Sequence, residues 1–392
     1  MIRRIWLPGT RRREVLAMES PFTGTAKSTP LQTSACASGE HPRMGERLLL
    51  IRLGAIGDVV HTLPLASAIK DARPDSHITW VVEPTPRQVL LGNPDIDEIL
   101  TINTKEWRKN LLTGGFSALK RDLLAVKNVA ADVAIDAQGL IKSGFLAWAS
   151  GAPVRIGFEH RFCREGMNVL FTTHQVEPLS PPHHVVEKNV SLLGPLGLSV
   201  PLKEQYRFSL HQTKEEREWA EKYLESVGHR KSSPLLVIHP GGGWATKRWD
   251  TVRFAQLADH WHENDMGDVL LIWGPGEEKM VDEVRDAMRT QPFVAPATSV
   301  REMMALIRRG SCFVGGDSGP LHLAAAMGVR CLAIMGPTEP VRNGPWGAGN
   351  LVLHRRLACS GCYARKCPDI ECLDRVRVEE AIDALNQLQA AP

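Results

Sequence analysis

The chain has 392 residues, 43% hydrophobic and 23% charged, with a formal net charge of +3. Those proportions exclude disordered, collagen-like and fibrous chains, and the length exceeds what one hydrophobic core serves, so two domains are expected. The near-neutral charge gives no support to a nucleic-acid binder, the best apolar run (321–336) is broken by Arg330 and falls short of a bilayer span, and eight cysteines are too sparse for a disulfide-stapled secreted module, which favours a reducing cytoplasm.

The first 43 residues hold seven Lys/Arg and three Asp/Glu, are rich in Ser, Thr, Pro and Gly, and show no sustained period. They read as a disordered basic tail, 1–43. Pro8 and the arginines at 11–13 interrupt the apolar core that a secretory signal needs, and Met44 is a candidate start. From Arg47 the pattern becomes strand, loop, helix. Strands are expected at 47–53, 77–82, 98–102 and 132–136, with helices at 59–71 and 118–129. A Pro-rich stretch at 178–201 precedes a linker near 200–210. The same grammar restarts with strands at 235–239, 268–273, 311–315 and 331–335 and helices at 213–227, 250–263, 277–288, 299–308 and 319–328. The class is α/β: two doubly wound parallel-sheet domains, 44–208 and 209–392, facing a cleft. Ligands of such sheets bind beyond the carboxyl ends of strands, so the loops there are the places to look.

In "RLGAIGDVVHTLP" (52–64), Gly54 and Gly57 permit a tight turn and Asp58 stands where a helix begins. Asp58 is either an N-cap or a general base, and the two are compatible. The GxxG spacing is not a dinucleotide fingerprint. In "HPGGGWATKRW" (239–249) the amides of Gly241, Gly242 and Gly243 are open to an anion and Lys247 adds a positive charge; the plainer alternative is a flexible loop with a solvent lysine. Glu277, after the next strand, either caps a helix or holds a ribose diol. In "GGDSGPLHLAAAMG" (315–328), Asp317, Ser318 and Gly319 supply cap chemistry and Pro320 suits the first helical turn, a helix start fitted to phosphate. His322 in that turn is either structural or a donor contact, and Thr338 follows the last expected strand. Four loops of one domain thus carry phosphate and ribose chemistry, and one loop of the other carries a carboxylate.

The combination of "GDVVHTLP", "IDAQGLIKS" (135–143), "KRW" (247–249) and "GGDSGPLHLAAA" resembles glycosyltransferase family 9, the ADP-heptose:lipopolysaccharide heptosyltransferases. "REGMNVLF" (164–171) and "HVVEKN" (184–189) are most similar to its heptosyltransferase I branch, although Gly242, Gly243 and Ser318 stand where that branch commonly has threonine. The resemblance implies the GT-B architecture of two Rossmann-like domains, with the last helix packing back on the first. It implies Asp58 as catalytic base, Lys247 near the donor diphosphate, Glu277 near the ribose, and Asp317, Ser318, Gly319 and His322 at the donor-binding helix start. The implied reaction is an inverting, metal-independent transfer from ADP-L-glycero-D-manno-heptose to Kdo of Kdo2-lipid A, without cofactor, at the cytoplasmic face of the inner membrane. A nucleotide-sugar epimerase of the same architecture, or a family 9 transferase with another heptose acceptor, is the alternative.

An anionic acceptor directs attention to the segment 105–127, which has six Lys/Arg and two Asp/Glu. Lys105, Arg108 and Lys109 flank Trp107 there, either as a solvated helix face or as an acceptor patch, and Gly57 and Lys142 are further acceptor candidates. The "DID" of 95–97 reads as loop and strand-edge residues, not as a metal motif. Cys359, Cys362, Cys367 and Cys372 have a spacing able to hold one structural zinc, though without the long separation between pairs that such sites usually show.

Overall fold

The computed structural model describes residues 18–19, 46–112, 114–178 and 183–390. The tail expected over 1–43 lies outside the described residues except for one two-residue strand, β1 (Met18–Glu19). The rest of the chain forms two compact units, one ending at His211 and the other starting at Gln212.

The N-terminal unit holds six strands: β2 (Arg47–Ile51), β3 (His77–Val82), β4 (Glu98–Thr101), β5 (Val133–Asp136), β6 (Val154–Phe158) and β7 (His174–Val176). All pair in parallel, in the order β4-β3-β2-β5-β6-β7. β2 lies in the middle, Leu50 standing between Trp80 and Ile135, which explains why "LLLI" is uninterrupted by polar residues: a central parallel strand is covered on both faces.

The C-terminal unit repeats the plan with β8 (Leu235–His239), β9 (Asp268–Leu271), β10 (Phe293–Val294), β11 (Cys312–Gly315), β12 (Arg330–Met335) and β13 (Leu351–His354). The order is β10-β9-β8-β11-β12-β13, parallel throughout, with β1 antiparallel on the β13 edge. Each unit therefore has the doubly wound order 3-2-1-4-5-6. Each also has a switch point between its first and fourth strands, β2/β5 in one and β8/β11 in the other.

The expected helix at 59–71 is two helices, Ile56–Val60 and Leu63–Ala72. Pro64 has no N–H to continue the first helix and is suited to starting a second, so the chain breaks at His61 and Thr62. The last helix, Val378–Ala390, is the one that the resemblance places back on the N-terminal domain. Its apolar stripe (Ala381, Ala384, Leu385 and Leu388) enters the core of the C-terminal unit together with Leu257 and Leu332.

Leu236 on β8 is fully buried in that core. Leu236→Ala is expected to lower stability by about 2–5 kcal/mol, read as an earlier midpoint in chemical denaturation with secondary structure unchanged.

Candidate active site

The loop after β2 fixes the position of Asp58. Arg52 is buried, and its Nη2 lies 2.6 Å from Asp58 Oδ1, while its Nη1 donates to the carbonyl of Ala137, just after β5. The Ala55 N–H donates to Asp58 Oδ2 at 3.0 Å. Asp58 is thus not the N-cap; that position is Ala55, and Asp58 caps from the third helical position. Its side chain remains 41% exposed, so a hydroxyl from solvent can reach it. Arg52 ties together the two loops of the switch point, and Gln138 adds a second tie by accepting the Leu53 N–H at 2.8 Å.

Beneath them Asp136 is fully buried at the end of β5. It accepts hydrogen bonds from Asn168 (2.6 Å), the Gln138 N–H (2.8 Å), Ser143 (2.9 Å) and the Gly139 N–H (3.2 Å). Burial pushes its pKa up in spite of those donors. Gly57 is buried inside the short helix, its carbonyl accepting the His61 N–H.

Lys142 is held 3.0 Å from Glu83 Oε1 and 3.1 Å from the Thr104 hydroxyl. Lys105, Arg108 and Lys109 are exposed along the helix Thr104–Leu112. Trp107 points the other way: it is buried, and its indole N–H donates to Asp122 at 2.7 Å, so it belongs to the core and not to an aromatic-basic patch. Asp95 accepts from Ser67 and Arg207, and Asp97 pairs with Lys70 and caps Ile78, which leaves both acids in structural use.

In the C-terminal unit the loops after β8, β9 and β11 are stitched together. Glu277 accepts from the Gly242 N–H (3.0 Å), the Gly274 N–H (2.8 Å) and His239 Nε2 (2.9 Å). It occupies the N-cap position of the helix Glu278–Ala287 without capping it through its side chain. A Cβ on Gly241 would sit 2.2 Å from Glu277 Oε1, so only glycine allows this approach. Burial acts against the charge, but the hydrogen bond and charge of His239 and the two backbone donors outweigh it and bring the Glu277 pKa down to about 2. His239 continues to the third loop, its Nδ1 lying 3.3 Å from the Ser318 hydroxyl. Ser318 is the N-cap residue of the helix Gly319–Ala326 by backbone conformation, but its side chain turns to His239 and does not cap.

Asp317 is 5% exposed and sits between two side-chain partners: Lys247 Nζ at 2.7 Å from Oδ2 and His322 Nε2 at 3.0 Å from Oδ1. Burial would raise its pKa, yet His322 and Lys247 hold it well below the usual carboxylate range. Lys247 is itself partly buried, with its side chain 11% exposed, donates also to the Asp317 carbonyl at 3.2 Å and lies 4.2 Å from the centre of the Trp244 ring, which Arg365 approaches at 5.1 Å. It is therefore no solvent lysine on a flexible loop. Thr338, after β12, is buried with a hydroxyl that has no hydrogen-bond partner among the described residues.

Spacing in the sequence does not single out Arg52, His239 or Trp244. A signal for the first two exists all the same, since each is a polar residue closing an otherwise apolar strand run. Among the described residues no three His, Cys, Asp or Glu side chains are grouped so as to hold a metal, the four cysteines included. Cys359, Cys362 and Cys367 are exposed along a run of turns, and Cys367 donates to the Asp369 carbonyl.

Two Rossmann-like units in one chain are the GT-B architecture. The profile for glycosyltransferase family 9 (heptosyltransferase) matches residues 118–372. Lipopolysaccharide heptosyltransferase 1 of Pseudomonas aeruginosa is 29% identical over 325 residues, 82% of this chain and 87% of the relative. A family 9 glycosyltransferase from Veillonella parvula superposes with a TM-score of 0.76 at 24% identity, covering 90% of this chain and 99% of that one. An E. coli heptosyltransferase solved with ADP superposes at 0.71 with 22% identity, covering 87% and 99%. The chain belongs to glycosyltransferase family 9, and it is a glycosyltransferase.

The Glu277 clamp has a pH signature. Its stabilisation is complete above its ordinary pKa of 4.5 and is lost as pH falls toward about 2. The expected size is on the order of 3 kcal/mol. Glu277→Gln should flatten that acid limb in denaturation midpoints measured against pH, with little pH dependence added above pH 5.

Proposed function

We propose that this enzyme transfers heptose from ADP-L-glycero-D-manno-heptose to a Kdo residue of Kdo2-lipid A, with inversion, in assembly of the lipopolysaccharide inner core. One observation carries the reading. Each unit gathers its chemistry at its switch point: an oriented, accessible carboxylate in one, and in the other a partly buried, ion-paired lysine beside a helix start. The named relatives, which include lipopolysaccharide heptosyltransferase 1 and a heptosyltransferase bound to ADP, support the donor and the acceptor class.

In this reading the diphosphate lies by the Gly241 and Gly243 amides, Lys247 and the first turn of Gly319–Ala326, while the Gly242 N–H is held by Glu277. There the ammonium and the helix N-terminus oppose the charge that grows on ADP as it leaves. Glu277 shapes the ribose side and keeps the glycine loop in place. His322 holds Asp317, and Thr338 offers its unsatisfied hydroxyl to the donor. Asp58 takes the proton of the attacking Kdo hydroxyl. The new C–O bond forms at the anomeric carbon as the bond to phosphate breaks, and the electron pair leaves with ADP. The Arg52 contact holds the carboxylate in one orientation for that transfer.

Lys105, Arg108 and Lys109 oppose the anionic acceptor, with Lys142 at its edge. A lipid-borne acceptor calls for work at the cytoplasmic face of the inner membrane. No described helix is long and apolar enough to cross a membrane, so the association proposed is peripheral.

The test is ADP release from ADP-heptose with Kdo2-lipid A, with already heptosylated acceptor, and with no acceptor. Release is expected only with the first. Release with the heptosylated acceptor alone would move the enzyme to a later heptose, and conversion of the donor in the absence of acceptor would make it an epimerase. Asp58→Asn should lower kcat by about 10²–10⁴-fold with the KM for donor unchanged and the fold intact. Near-full turnover would leave Asp58 with a capping role only.

A further inference from the structure

We propose that the face made by the helix Ser117–Asn128 and the end of the helix Ile141–Ala149 is the surface by which the protein docks on an anionic lipid bilayer. The helix Ser117–Asn128 buries Ala118 and Val126 in the N-terminal core, with Asp122 beside Trp107. Its outer face carries Phe116, Lys120, Leu124 and Lys127, spaced by four, four and three residues and so aligned on one side. Phe116 is 64% exposed, Leu124 50%, and Trp148 across the interhelical groove 55%. The groove between them encloses about 470 Å3, floored by Leu119, Leu123 and Ala149. Large apolar side chains exposed together, and not singly, mark a surface that something covers.

Charge decides what covers it. Lys120 and Lys127 rim the groove and make no ion pair among the described residues. The nearby acids are already used, Glu106 by Arg121 and Asp122 by Trp107 and Arg121. A second copy related by a twofold axis would set these lysines against their own equivalents, an uncompensated repulsion. An anionic bilayer satisfies both features. Phe116 and Trp148 enter the interfacial layer, where aromatic rings are favoured, and the lysines lay their stems on it with their ammonium groups among phosphates. The proposal refines the peripheral association inferred above, but it is read without turnover, so it stands or falls apart from the identity of the acceptor.

The experiment is cosedimentation of the full chain with vesicles of phosphatidylglycerol and phosphatidylcholine, against phosphatidylcholine alone, at low salt. The wild type should bind the anionic vesicles only. Lys120→Glu with Lys127→Glu, and separately Phe116→Ser with Trp148→Ser, should each lower partitioning by about tenfold or more. The second pair leaves the charge of the chain unchanged, so its effect is not confused with the basic 1–43 segment. Far-UV circular dichroism and the denaturation midpoint should remain at the wild-type values in both variants, which shows that they fold. If the wild type ignores anionic vesicles, if both variants bind them as the wild type does, or if the apolar pair instead converts a dimer to a monomer, the proposal is overturned.

Discussion

The polar cluster of the C-terminal unit, the donor side in the proposal above, depends on one buried carboxylate. Asp317, almost wholly removed from water, is tolerable as an anion only because Lys247 and His322 stand on either side of it. The same pairing fixes the ammonium of Lys247 beside a helix start, where a flexible lysine would otherwise wander in solvent. The backbone is shaped to allow it: a Cβ on Gly316 would fall 2.6 Å from the Lys247 carbonyl, so the two loops meet only through glycine. His239 and Glu277 extend the constraint to the loops after β8 and β9. Few of these charges are left to solvent screening, and the contacts tie the three loops to one another.

The N-terminal unit solves a related problem with the opposite charge. There the buried group is a cation, Arg52, and the exposed partner is the carboxylate, Asp58. Both units have the same strand order, and both concentrate polar residues where the order reverses. What differs is which charge the fold keeps inside and which it presents. That difference suits one unit to stabilising an anion and the other to receiving a proton.

Much of this is legible in the sequence. The central strands of both sheets are continuous apolar runs, and β3 and β8 have the bounds their patterns predict. Edge strands such as β7 and β10 escape a reading of pattern, because strands of two or three partly exposed residues have no periodicity to detect. The glycine loop, Lys247 and Asp317 can be singled out by spacing, but their mutual contact cannot, since 70 residues separate the lysine from its carboxylate. Trp107 misleads for a physical reason: its basic neighbours are exposed, but helical geometry turns the residue between them inward. The cysteines, close in sequence, are not gathered around one point among the described residues, because spacing alone does not bend a run of turns.

If the Lys247–Asp317 pair exists to present a positive charge to a diphosphate, binding of ADP to the free enzyme is the most direct test. Calorimetry on wild type and Lys247→Met, a substitution that keeps the aliphatic stem and removes the charge, should show ADP bound about ten- to a hundredfold more weakly, the loss expected of one charged hydrogen bond. AMP, which lacks the second phosphate, should bind both proteins alike. Equal affinity of the two proteins for ADP would mean that Lys247 serves only to neutralise Asp317, and the donor site would have to lie elsewhere.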